Sequence, residues 1–266
     1  MTAEHPDKKG LILAGLDPSA GAGLLMDIKV FSAIGVHACA VPSAIVVENT
    51  DVVKQTAGVK ISTVREQLGI ILDYSAVNGV KIGMLYSAET IRLVIQTIKR
   101  YRLRNIVLDP VLLSSSGAPL LKRNARNALR SLFPLCTIIT PNVQEVSALS
   151  GISIQNKDDM IRSAQYFLDT GAGAVVIKGG HFGQKGLDLY MDRKQHAFLK
   201  GRVIDKDVHG TGCIMSSAIT SFLIKGYDKL ESVRLAKAFT EKAIENSYKL
   251  SSSLKKYIGM PICTNK

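Results

Sequence analysis

A recurrence in the sequence sets the narrowest limits on what this chain can fold into. Short apolar runs, each closing on glycine or a polar residue, alternate with longer segments of helical spacing. The runs are Gly10–Ala14, Ala38–Val47, Gly79–Met84, Asn105–Val111, Thr137–Thr140 and Ala174–Lys178. Runs this short and this continuously apolar read as strands buried on both faces. Between them, Leu24, Ile28, Phe31 and Ile34 recur at helical spacing up to Gly35. Val64, Leu68, Ile71 and Leu72 fall on one face of a helix over Thr63–Tyr74, and Ser87 is a cap for a helix over Ala88–Tyr101. Further helices are expected over Asn124–Leu132, from Pro141, and over Asp158–Thr170, Ile214–Lys225 and Ser232–Leu250. A short strand is expected at Val59–Ser62, and a β-hairpin from Leu187–Asp192 and Gln195–Arg202. Strand and helix in alternation imply an α/β fold with a central, mostly parallel sheet and helices on both faces.

Open sheets of this kind bind ligands beyond the carboxyl ends of their strands, so the residues that close each run matter most. The first run leads into a loop rich in turn residues, Gly15–Gly23, that opens a helix. Gly21-Ala22-Gly23 lacks the following glycine of a dinucleotide-binding fingerprint. Asp17 reads as a turn former and Asp27 as a solvated helix residue, or either as a ligand group. Glu48 and Asp109 close two other runs. Asn142 and Glu145 on the first turn after Pro141 put two oxygen donors on one side, or serve as an N-cap and a helix-dipole carboxylate. Lys178 stands at a strand end beside a glycine pair.

The densest signal is Asp207–Ala218. Gly210 and Gly212 flank Thr211, Cys213 follows, and a helix begins. Glycines free of Cβ atoms let successive N–H groups converge, and the helix adds its unpaired N–H groups and dipole, which suits a phosphoryl oxygen. At a helix N-terminus the Cys213 thiol is expected to have a lowered pKa. Strand-end carboxylates to hold Mg²⁺, a lysine and a glycine nest are the parts phosphoryl transfer needs.

Composition excludes several other classes. The formal net charge of the 266 residues is +12, but the basic residues are dispersed and no tryptophan is present, which gives little support for nucleic-acid binding. No apolar run approaches the ~20 residues needed to cross a bilayer, and the polar start MTAEHPDKKG lacks the apolar core of a signal peptide. Cys39, Cys136, Cys213 and Cys263 are scattered, as expected of reduced thiols in a cytosol. One domain over 1–266 is expected, with 1–9 and 251–266 as peripheral tails.

The chain resembles the ribokinase-like superfamily, and within it the hydroxymethylpyrimidine/phosphomethylpyrimidine kinases of thiamin biosynthesis. The resemblance runs from Leu11 to Lys249 and is carried by AGLDPSAGAGLLMDIKVFSAIGV, VENT, KIGML, VLDPVLLSSSGAPLL, TPNVQE, VIKGGH and HGTGC, in that order. It implies a cytoplasmic, dimeric, ATP- and Mg²⁺-dependent kinase of a small pyrimidine. By motif, Gly210, Gly212 and Cys213 would form the anion hole, with Cys213 taking the proton of the substrate hydroxyl. Asp109 and Glu145 would associate with the metal, and Lys178, Thr211 and Asn142 with the ATP phosphates, while Lys237 is assigned to the adenine side. Gly15, Asp27, Glu48 and Met84 would line the pyrimidine pocket. Relatives often carry glutamine where Glu48 stands and serine where Leu16 stands; these departures bear on the preference between the free alcohol and its monophosphate. The alternatives are a pyridoxal or pyridoxine kinase on the same frame and a non-catalytic pyrimidine-phosphate sensor.

Overall fold

The structure, a computed structural model, describes residues 8–49, 52–179, 186–202, 204, 208, 210–249 and 256–260. The strands are β1 (Lys9–Leu16), β2 (His37–Glu48), β3 (Val53–Gly58), β4 (Gly79–Ile82), β5 (Ile106–Leu108), β6 (Ile138–Ile139), β7 (Ala174–Ile177), β8 (Leu187–Asp192) and β9 (His196–Lys200). The helices are α1 (Gly23–Ile34), α2 (Ile61–Tyr74), α3 (Ala88–Tyr101), α4 (Arg126–Arg130), α5 (Val143–Ser150), α6 (Lys157–Asp169), α7 (Thr211–Ile224) and α8 (Lys229–Glu245). Among the described residues the strands form one sheet in the order β3-β2-β1-β4-β5-β6-β7-β8-β9. The six strands from β2 to β7 run parallel, and the β2–β3, β7–β8 and β8–β9 pairs are antiparallel.

Side chains on a strand alternate between faces, and here each face has its own core. Leu11, Leu13, Val80, Ile82, Ile106, Leu108, Val175 and Ile177 point to one side and pack against α2 to α6. Ile12 and Ala14 meet α1, and Val107, Ile138, Ala174 and Val176 meet α1, α7 and α8 on the other side. Two-sided burial explains why these strands read as unbroken apolar runs. Local signals place the helix ends. Ser87 Oγ accepts the Thr90 N–H at 3.3 Å, and α1 closes on Gly35 in the left-handed conformation.

Three expectations need correction. Val59–Ser62 is not a strand: β3 lies earlier, and Val59 and Ile61 pack against the core of the α2 side while Ile61 starts α2. The helix expected over Asn124–Leu132 is a 3₁₀ turn, Arg123–Ala125, followed by the short α4. Neither end is simply a tail. Lys9 begins β1, while Tyr257 and Ile258 are buried and Lys256 bridges to Val208. Residues 1–7, 251–255 and 261–266, with Gly180, His181, Asp207 and His209, lie outside the described residues.

Gly10 lets α1 and α7 approach β1. A Cβ there would collide with the Phe31 ring and come 2.8 Å from Ile224 Cδ1. Gly10→Ala should destabilise the protein by about 1–3 kcal/mol through overpacking, seen as a lower urea midpoint at unchanged slope.

Candidate active site

The carboxyl ends of the parallel strands open on one edge of the sheet, and the loops there gather most of the expected residues. After β1 the chain turns on Asp17, whose side chain is buried. Its two oxygens accept the Ser19 and Ala22 N–H groups, each at 2.8 Å. That turn delivers Gly21, Ala22 and Gly23 to the start of α1. Gly23 has φ +57°, and a Cβ on it would overlap the Gly15 carbonyl. Gly210, the N-cap of α7, has φ +85°, and a Cβ on it would overlap the Gly21 carbonyl. The two glycine loops therefore meet backbone to backbone, which a side chain at either position would prevent. The Gly23 N–H bears on the Cys213 thiol and favours its ionised form, so the start of α1 as well as that of α7 acts on this sulfur.

Lys178 and Asp109 stand against the first turn of α7. Lys178 Nζ donates to Asp109 Oδ1 at 2.7 Å. A Cβ on Gly212 would come 3.2 Å from Lys178 Nζ and 3.7 Å from Asp109 Oδ2. Thr140 Oγ1 reaches Asp109 Oδ1 at 3.3 Å. Ser216 Oγ lies 3.4 Å from Asp109 Oδ2 but nearer, at 3.1 Å, to the Gly212 and Cys213 carbonyls, so its back-bond within α7 prevails. Burial alone would raise the Asp109 carboxyl, but Lys178 and Lys81 hold it below the usual carboxylate range. Burial opposes charge on Lys178 too, and Asp109 and Glu145 more than offset it.

Asn142 and Glu145 form a reciprocal capping box at α5: Glu145 Oε2 accepts the Asn142 N–H and Asn142 Oδ1 accepts the Glu145 N–H, each at 2.8 Å. The N-cap reading of this pair is therefore observed. It does not exhaust their chemistry, since Glu145 lies in the field of both Lys178 and Asp109. On the opposite wall, Met84 packs against Ala44 and Val46 of β2, and a Cβ on Gly15 would come 2.6 Å from Met84 Sδ. Glu48, two residues after Val46, has the same strand parity, and is partly buried.

Three expected residues behave otherwise than the sequence suggested. Asp27 is not solvated. It is fully buried, taking Lys81 Nζ at 2.6 Å and Ser217 Oγ at 2.7 Å. Lys237 donates to Asp188 Oδ2 at 2.6 Å and to the Gly186 carbonyl at 3.0 Å, while Asp188 Oδ1 accepts the Gly179 N–H. It braces the strand that follows the Lys178 loop. The Cys213 thiol is not lowered. Burial among protein atoms pushes it up to about 12, outweighing Lys81 and the Gly23 N–H, with Asp27 and Asp109 adding to the rise. Thr211 opens the first turn of α7 as expected.

Sequence reading passed over Lys81, Thr140, Ser216 and Ser217 as contributors. One signal was available: Lys81 interrupts a buried strand, where a charge needs a partner. Burial, ahead of Asp109 and against Lys178 and the Asn142 and Leu112 N–H groups, raises the Glu145 carboxyl to about 7 from 4.5. A carboxyl that binds its proton more tightly when folded stabilises the fold below its unfolded value, and loses that contribution as pH rises through the folded value. Glu145→Gln removes this titration and keeps an acceptor for the cap. The variant should gain stability relative to the parent between pH ~5 and ~8, on the order of 1–3 kcal/mol, in thermal melts across that range.

Comparison with known proteins agrees with this arrangement. The family described as phosphomethylpyrimidine kinase matches residues 17–257. A hydroxymethylpyrimidine/phosphomethylpyrimidine kinase of Aquifex aeolicus is 38% identical over 243 residues, covering 90% of this chain and 95% of the relative. The crystal structure of phosphomethylpyrimidine kinase from Clostridium difficile superposes with a TM-score of 0.81 at 36% identity, over 90% of this chain and 100% of that one. An ADP complex of Bacillus subtilis pyridoxal kinase superposes at 0.87 with 35% identity, over 96% and 98%. The fold is ribokinase-like and the chain is a phosphotransferase belonging to the phosphomethylpyrimidine kinase family.

Proposed function

We propose that the protein transfers the terminal phosphoryl group of ATP to the hydroxymethyl group of 4-amino-5-hydroxymethyl-2-methylpyrimidine. It then phosphorylates the monophosphate to the pyrophosphate, for thiamin diphosphate biosynthesis. The observation that carries this reading is the juxtaposition of the Gly210–Cys213 turn, at the head of the 14-residue α7, with Lys178 and Asp109. The Aquifex aeolicus relative and the Clostridium difficile structure are kinases of such pyrimidines by their descriptions.

In this reading the N–H groups of Gly212 and Cys213, with that of Gly210, receive the charge that develops on the transferring group. Lys178 and Thr211 lie along the ATP phosphates, with the amide of Asn142 nearby. Gly15, Met84 and Glu48 form the pyrimidine wall, where the Glu48 carboxylate accepts hydrogen bonds from an aminopyrimidine. Asp109 and Glu145 suit Mg²⁺: they are hard oxygen donors, and this ion commonly takes one or two carboxylates and keeps its waters. Bound Mg²⁺ would neutralise charge on the phosphate oxygens.

Cys213 accepts the substrate proton as a thiolate. Because burial pushes the thiol up to about 12, kcat/KM should keep climbing with pH through neutrality and show no plateau from this group below ~9. The reading also places the enzyme in the cytoplasm as a homodimer. Ile45 and Val47, 49% and 48% exposed on the outer face of β2, support a second copy. Among the described residues no helix is long and apolar enough to cross a membrane.

A pyridoxal kinase is the second reading, favoured by the Bacillus subtilis likeness over 96% of the chain. ADP release with MgATP and, separately, the pyrimidine alcohol, its monophosphate and pyridoxal decides between them. Turnover of both pyrimidines is expected. Pyridoxal as the preferred substrate would overturn the assignment, and no ADP with any of the three would indicate a sensor. Cys213→Ala should lose ~10²-fold or more in kcat.

A further inference from the structure

Beneath the cleft lies a charged group that the reaction as described does not use. Lys81 is 0% exposed in the middle of β4, between Val80 and Ile82. Those neighbours face the α2 side, so Lys81 projects toward α1 and α7. Its ammonium reaches forward to the strand end, where a Cβ on Gly83 would come 2.8 Å from Nζ. It is paired with Asp27 of α1 at 2.6 Å, and the other oxygen of Asp27 accepts Ser217 Oγ at 2.7 Å. Ser217 stands one turn after Cys213 on α7, so the pair and the thiol share the same first turns of that helix.

We propose that the Lys81–Asp27 ion pair, pinned by Ser217, is a positioning device that directs positive charge at the Cys213 sulfur and so favours its proton-accepting form. A buried ion pair is weak evidence for stability, because desolvation offsets the attraction; its polarity toward a neighbouring group is what this arrangement retains. Of the two charges the ammonium stands at the strand end beside Gly83, where the cleft opens, while the Asp27 carboxylate is held by Ser217 a turn further along α7, which gives the pair its direction; the lysine accordingly outweighs Asp27 at the sulfur. Burial disfavours charge on Lys81, yet Asp27, Cys213 and Asp109 around it hold the ammonium above the ordinary lysine value. Among the described residues, the charged groups acting on the thiol are Lys81 from β4, Asp27 from α1, Asp109 after β5 and Lys178 after β7.

The proposal rests on Cys213 being the proton acceptor, but its test does not. The rate of Cys213 alkylation by iodoacetamide in the free protein, at one pH near 9, follows the thiolate fraction. Peptide mass spectrometry separates it from the other cysteines. Lys81→Met should slow alkylation about tenfold, one unit of pKa. Asp27→Asn should speed it several-fold, because the countercharge is gone and Lys81 remains. Should Lys81→Met fail to fold, the neutral double variant Lys81→Met/Asp27→Asn takes its place, and it should react more slowly than Asp27→Asn alone. Parallel kinetics should show kcat reduced by Lys81→Met with KM little changed. A merely structural pair would loosen the site in both variants. Rates that move in the same direction, or changes within twofold throughout, overturn the proposal. Retention of turnover by Cys213→Ala would instead remove the base assignment and leave the alkylation result standing.

Discussion

A sheet covered on both faces has only its edges left for polar chemistry. In this protein α2 to α6 close one face and α1, α7 and α8 the other, so side chains along the strands are committed to one of two cores. The carboxyl edge of the parallel strands is where the backbone must leave the sheet. There the loops after β1, β5, β6 and β7 deliver Gly23, Asp109, Asn142 and Lys178 around the start of α7. The site follows from that geometry, since the strands end together and their loops share a narrow space.

What makes the space usable is the absence of side chains at two contacts. Gly210 against the Gly21 carbonyl and Gly23 against the Gly15 carbonyl bring two helix N-termini together around one sulfur. The cost of such closeness is desolvation. Glu145 is raised to about 7 and Cys213 to about 12 by burial, whereas Asp109 stays below its usual range because Lys178 and Lys81 flank it. Groups of similar chemistry are thus separated in titration by their neighbours, as functional sites commonly require.

Much of this was legible in the chain. Gly10–Ala14 and Ala174–Lys178 read as buried strands because burial on both faces demands unbroken apolar sequence. Ser87 read as a cap because its hydroxyl satisfies an N–H that the helix cannot. Asp109, Lys178 and Cys213 could be selected because each closes a run or opens a helix. Asp27 and Lys237 were less tractable. A carboxylate at helical spacing after a glycine loop looks the same in sequence whether it faces water or a lysine on a distant strand. The sequence separations of 54 from Asp27 to Lys81 and 49 from Asp188 to Lys237 carry no local sign of pairing. The Cys213 thiol was misjudged for the same reason: the helix terminus is a local feature, and the protein packed over it is not.

The sequence by itself determined the alternation of strand and helix, the sites of the glycine turns and the inventory of reactive groups, because these depend on neighbours a few residues apart. The strand order decided which carboxyl ends adjoin. The packing of α1 and α7 on the sheet decided that Lys81 and Asp27 pair beneath Cys213 instead of meeting solvent. Those outcomes depend on contacts between residues far apart in the chain, where desolvation and charge are set by whatever folding brings alongside.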